Sequence, residues 1–86
     1  MIKINKILLE IYVPLIEKKY EIFVPVSKSV EKVTKIINKS ISELNDNFLS
    51  EESSFRLYDQ QTGNLIPLNV TIKDSGLKNG SRVLFT

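Results

Sequence analysis

At 86 residues, 42% apolar and 26% charged, the chain has material for one hydrophobic core and no room for a second. A chain of this size buries only about 60–65% of the surface that its unfolded form exposes. Twelve Lys and Arg against ten Asp and Glu leave a net charge of +2, too slight for the basic face that phosphate-based nucleic-acid binding needs, and the absence of cysteine and histidine removes disulfides, thiolate nucleophiles, the usual transition-metal ligands and the commonest general base.

No apolar run reaches the roughly 18 residues of a membrane span, and at the N-terminus Ile7-Leu8-Leu9 is cut by Glu10 before the apolar core of a signal peptide could form. The sequence therefore predicts one soluble, unexported, cytoplasmic domain over residues 1–86.

From Ile4 to Val26 the chain is rich in β-branched and aromatic residues, with Pro14 and Glu17-Lys18-Lys19 interrupting them, and reads as a two-stranded hairpin. Ile7, Leu9, Ile11 and Val13 share one parity, as do Ile22, Val24 and Val26, and these are the expected core faces. Glu10, Tyr12, Glu21 and Phe23 then point the other way.

Between Ser29 and Leu44 the period changes. At about 100° per residue Val30, Val33, Ile37, Ile41 and Leu44 fall within about 80° of arc, with Lys28, Lys32, Lys35 and Lys39 roughly opposite, which predicts an amphipathic helix. Ser29 is the expected N-cap, with Ser27 competing, and Glu31 complements the dipole in the first turn. From Asn45 to Ser54 polar residues bracket Phe48 and Leu49, a loop whose apolar anchor, Phe48, tucks under the helix end.

Phe55 and Leu57 alternate with Arg56 and Tyr58 in a short strand. Asp59 to Asn64 is turn chemistry, and Leu65-Ile66-Pro67-Leu68 is a brief return whose proline suits a sheet edge. Thr71 can cap a single helical turn that Gly76 ends, Asn79-Gly80 supplies positive φ for a tight turn, and Val83 and Phe85 point to the core from a last strand.

This order of elements predicts an α+β β-grasp fold: a mixed sheet of four to five strands with one helix packed across one face. The spacing from the helix cap back to Ile22, Val24 and Val26, with Thr71-Ile72-Lys73-Asp74-x-x-Leu77 before a strand, resembles ubiquitin-like proteins over nearly the whole chain. Within that fold, Tyr20-Glu21-Ile22-Phe23-Val24, Val30-Glu31-Lys32-Val33 and Ile72-x-Asp74-x-Gly76-Leu77-x-Asn79-Gly80-x-Arg82-Val83 are similar to the YukD/EsaB family, accessory proteins of type VII secretion in Gram-positive bacteria. The resemblance implies a non-catalytic role, and the residues themselves give no cofactor or metal site to expect. It also implies no conjugation, in keeping with a glycine-free Leu84-Phe85-Thr86 where ubiquitin and the sulfur carriers need a flexible Gly-Gly tail.

A helix on one face of the sheet leaves the other open. Arg56, Tyr58, Arg82 and Leu84 fall there by alternation, and tyrosine and arginine are common interface anchors, so these four are the candidate partner-binding residues; ordinary cross-strand pairing is the competing explanation. Tyr12, Leu8 and Phe23 extend that face or bury the hairpin in a dimer. The expected partner is a protein, a secretion-system component by the resemblance, with the chain a monomer or weak dimer. A ubiquitin-like adaptor of another complex, a fragment of a larger protein and a sulfur-carrier-type protein are the alternatives.

Four other features have simpler explanations. The lysine stripe reads as a solvated helix face, offset by Glu31 and Glu43. Ser29-Val30-Glu31-Lys32 matches the Ser-x-x-Lys of penicillin-binding enzymes without their partner motifs. The Asn-x-Ser/Thr sequons at Asn38, Asn69 and Asn79 matter only in a glycosylating pathway, and Asp46, Glu51 and Glu52 lack metal-ligand spacing.

Overall fold

Alternating apolar and polar residues build β1 over Lys6–Val13, and β2 over Lys18–Pro25 runs antiparallel to it. Ile7 lies opposite Val24, Leu9 opposite Ile22 and Ile11 opposite Tyr20, so the expected parity holds, and Ile7, Leu9, Ile11, Val13 and Val24 are buried on one face. A single 3-10 turn over Pro14–Ile16 joins the strands. Glu17 closes it in the left-handed region at φ 51°, its N–H donating to the Pro14 carbonyl at 3.2 Å. The structure, a computed structural model, describes residues 5–45 and 54–86. The Phe48 anchor and the Asp46, Glu51 and Glu52 carboxylates lie outside the described residues.

The helix α1 spans Val30–Leu44. Ser29 is its cap: the hydroxyl oxygen accepts from the Lys32 N–H at 3.2 Å. Two further first-turn donors find partners outside the helix, Val30 N–H to the Val70 carbonyl at 2.8 Å and Glu31 N–H to the Leu68 carbonyl at 3.1 Å. The segment after the short strand thus supplies acceptors that the helix cannot supply to itself.

One helical expectation is corrected. Val30, Val33, Ile37 and Ile41 are buried, but Leu44 is 68% exposed, and Thr34, Asn38 and Ser42 are buried instead. At about 100° per residue the covered arc shifts along the helix from the Val33 side toward the Ser42 side. A straight helix crossing a twisted sheet meets it along such a drifting line, and Leu44 falls on the side already left behind. Thr34 satisfies its hydroxyl by donating to the Val30 carbonyl at 2.8 Å.

Leu57–Asp59 forms β3 and Ser81–Phe85 forms β4, which are antiparallel to each other, while β4 is parallel to β1. The sheet order is β2-β1-β4-β3, a mixed sheet of four strands with α1 across one face. The Leu65–Leu68 return does not become a fifth strand: Leu65 makes one isolated bridge to Tyr58, and by Leu68 the chain has turned toward the start of α1, where the Leu68 carbonyl accepts from the Glu31 N–H at 3.1 Å.

Lys73–Ser75 is a 3-10 turn, with the Thr71 hydroxyl accepting from the Asp74 N–H at 3.2 Å and Gly76 ending it at φ 88°. At Asn79-Gly80 only Gly80 takes positive φ, +86°. Asn79 acts differently: its Oδ1 accepts from the Leu8 N–H at 2.8 Å, and the Gly80 N–H donates to the Leu8 carbonyl at 2.7 Å, so the turn clasps β1. Val83, Phe85, Leu57, Ile66, Ile72 and Leu77 complete the core. The Phe85 ring is tilted 53° to that of Phe55, with centroids 5.2 Å apart.

Candidate functional site

The register places side chains on the open face in rows across the strands. One row runs Lys19, Tyr12, Leu84, Tyr58, because Tyr12 is opposite Lys19 on β2 and Leu84 on β4, and Leu84 is opposite Tyr58 on β3. The next runs Glu21, Glu10, Arg82. Beyond it Phe23 faces Leu8.

The candidate residues therefore divide. Tyr58 and Leu84 are direct partners, and with Tyr12 they make a continuous half-buried band. Arg82 sits in the neighbouring row, where its Nε donates to Glu10 Oε2 at 2.9 Å. Arg56 is at the far end of the face, its backbone paired with that of Thr86 at 3.0 and 3.2 Å and its guanidinium donating to the Phe55 carbonyl at 3.0 Å. Tyr58, Leu84 and Arg82 are adjacent; Arg56 is separated from Arg82 by the Tyr58–Leu84 row.

Alternation within each strand carries no information about which residues of distant strands meet, so the Arg82–Glu10 pair was not legible in the sequence. It lies at the surface, with 73% and 41% of the two side chains exposed, and a pair so exposed contributes only about 0.2–1 kcal/mol. Its consequence is chemical. It leaves Glu21, directly opposite Glu10, without an ion pair among the described residues. Glu10, Tyr12, Lys19, Glu21, Gln60 and Arg82 line a shallow concavity of about 460 Å³ that carries both signs of charge.

At the apolar end Phe23 is 65% exposed beside half-buried Leu8. Lys28, just before the helix cap, and Lys32, Lys35 and Lys39 on α1 are all exposed, and Lys35 reaches Glu31 at 4.0 Å. The Ser29 hydroxyl is occupied as the helix cap. Asn38 is buried and the Asn79 carbonyl is engaged by Leu8. Among the described residues no group of three or more Asp, Glu, His or Cys could hold a metal ion, and no helix is long and apolar enough to cross a membrane.

No known family profile matches the chain, and no curated protein matches it by sequence. Solved structures do match in fold. The ubiquitin-like domain of the Mycobacterium tuberculosis type VII secretion system protein EccD1 superposes with a TM-score of 0.73 at 11% identity, covering 96% of this chain and 99% of that one. The EccD5 ubiquitin-like domain from Mycobacterium xenopi gives 0.65 at 11%, covering 94% and 92%. A structure described as molecular mimicry of SUMO promoting DNA repair gives 0.71 at 15%, covering 99% and 95%. At these identities the likeness is one of fold: the chain has the ubiquitin-like β-grasp fold.

Proposed function

We propose that this chain is a non-catalytic ubiquitin-like interaction module, one domain over residues 1–86, that docks a protein partner on its open sheet face. Tyr58, Leu84 and Tyr12 form the contact band, Arg82 with Glu10 forms its polar rim, and Arg56 contacts the partner from the end of the face. The observation that carries this reading is the one-sided sheet: α1 covers the inner face, while the outer face keeps a half-buried aromatic and aliphatic band and an exposed Phe23. Aromatic residues with arginine at their margin are the composition of interface centres.

The cellular role we propose is that of an accessory component of bacterial type VII secretion, of the YukD/EsaB kind, acting in the cytoplasm. Support comes from the Ile72 to Val83 string together with the fold shared with EccD1 and EccD5 domains. The test is deletion in the source bacterium, followed by complementation. Loss of type VII substrates from the medium, restored by the wild-type chain and not by Leu84→Asp, is the expected result; unchanged secretion on deletion would reject the role.

A further inference from the structure

The two edges of the sheet are unlike. The outer side of β3 is covered by the chain that follows it, through Asp59 N–H to the Asn64 carbonyl at 2.8 Å and Ile66 N–H to the Leu57 carbonyl at 2.9 Å. No described segment covers β2. The Val26 N–H donates to the Asn5 carbonyl at 2.9 Å, and ladder bonds in an antiparallel pair recur at every second residue, so Val24, Ile22, Tyr20 and Lys18 bond inward to β1. The backbone groups of Lys19, Glu21 and Phe23 therefore point out of the sheet.

We propose that this edge pairs with the same edge of a second copy, antiparallel and centred on Tyr20, joining two four-stranded sheets into one of eight. Charge selects both the occupant and the register. Centring on Tyr20 sets Lys19 of each copy opposite Glu21 of the other, on the open face, and does so twice by symmetry. Glu21 then gains the cation that Arg82 supplies to Glu10. Centring on Glu21 would oppose like charges, and centring on Ile22 would set Lys19 against Pro25, which has no N–H.

Lysines on a strand edge ordinarily deter pairing. Here Glu21, two residues on, makes the deterrent specific: a strand without the reciprocal charges is refused and a second copy is accepted. The window is short, bounded by left-handed Glu17 and by Pro25, so its area falls below the roughly 1,200 Å² of stable complexes and the dimer is weak.

Sedimentation equilibrium of the full chain at low salt should show a monomer–dimer equilibrium with a dissociation constant on the order of hundreds of micromolar. Glu21→Lys or Lys19→Glu alone should weaken it by about tenfold or more, and the two together should restore it to within about threefold. Both side chains are exposed, so the fold survives either change. Hydrogen exchange should slow with concentration at the Lys19 and Glu21 amides and not at Phe23. A chain that stays monomeric to about 1 mM, a dimer indifferent to the single reversals, a double reversal that fails to restore it, or protection centred on Phe23 would each overturn the proposal.

Discussion

Leu84 and Phe85, consecutive in β4, face opposite ways: Phe85 is fully buried against Phe55 and α1's side of the sheet, while Leu84 is half-buried on the open face between Tyr12 and Tyr58. The two positions should respond very differently to substitution. Phe85→Ala removes a packed ring and should cost about 3–5 kcal/mol in urea unfolding. Leu84→Asp loses partial burial and strand preference, about 1–2 kcal/mol, and should leave the domain folded. If Leu84→Asp were the more damaging, the assignment of inner and outer faces would be reversed.

The opposition of Glu10 and Glu21 across β1 and β2 is a small built-in cost. Glu21→Gln removes it while keeping the side chain's size, and should stabilise the chain by about 0.2–1 kcal/mol at low salt. The gain should shrink in about 1 M salt, where screening already weakens the repulsion. Thermal unfolding of dilute protein at the two ionic strengths checks both parts.

Asn79 and Gly80 hold Leu8 by different means and should fail differently. Asn79→Ala removes the acceptor of the Leu8 N–H at an exposed site where water can take its place, and should cost about 0.5–1.5 kcal/mol. At Gly80 nothing lies within 4 Å of an added Cβ, so Gly80→Ala should cost only the backbone strain of φ +86°, about 1–2 kcal/mol. Gly80→Asn should cost less than Gly80→Ala, because asparagine tolerates the left-handed region; chemical denaturation orders the three variants.

Along α1, Ser29→Ala should cost about 1 kcal/mol through loss of the cap. Leu44→Glu should fall within about 0.5 kcal/mol of wild type, because Leu44 is exposed, whereas Ile41→Ala should cost about 2–5 kcal/mol. A large effect at Leu44 would contradict the drifting contact line.

Much of the fold was legible in residue order because its local rules agree. Period two in the hairpin, period 3.6 after Ser29, a cap at Ser29 and glycine at 76 and 80 all specify the elements that form. Leu44 misled because a helical wheel assumes a straight line of contact, and because Thr34, Asn38 and Ser42 are polar residues small enough to be buried on the arc that replaces it. The role of Asn79 was hidden because its partner Leu8 is 71 residues away. For the same reason parity could place the four candidate residues on the open sheet face, while the separation of Arg56 from Arg82 by the Tyr58–Leu84 row needed the order of the strands.

The most direct test of the open face is capture by the immobilised chain from its source organism, with type VII secretion components as the partners scored. Wild type and a Lys32→Glu, Lys39→Glu variant of the helix face should both retain the component, and folded Leu84→Asp should lose it. Retention by Leu84→Asp together with loss on the helix variant would place the contact on α1 and contradict the account.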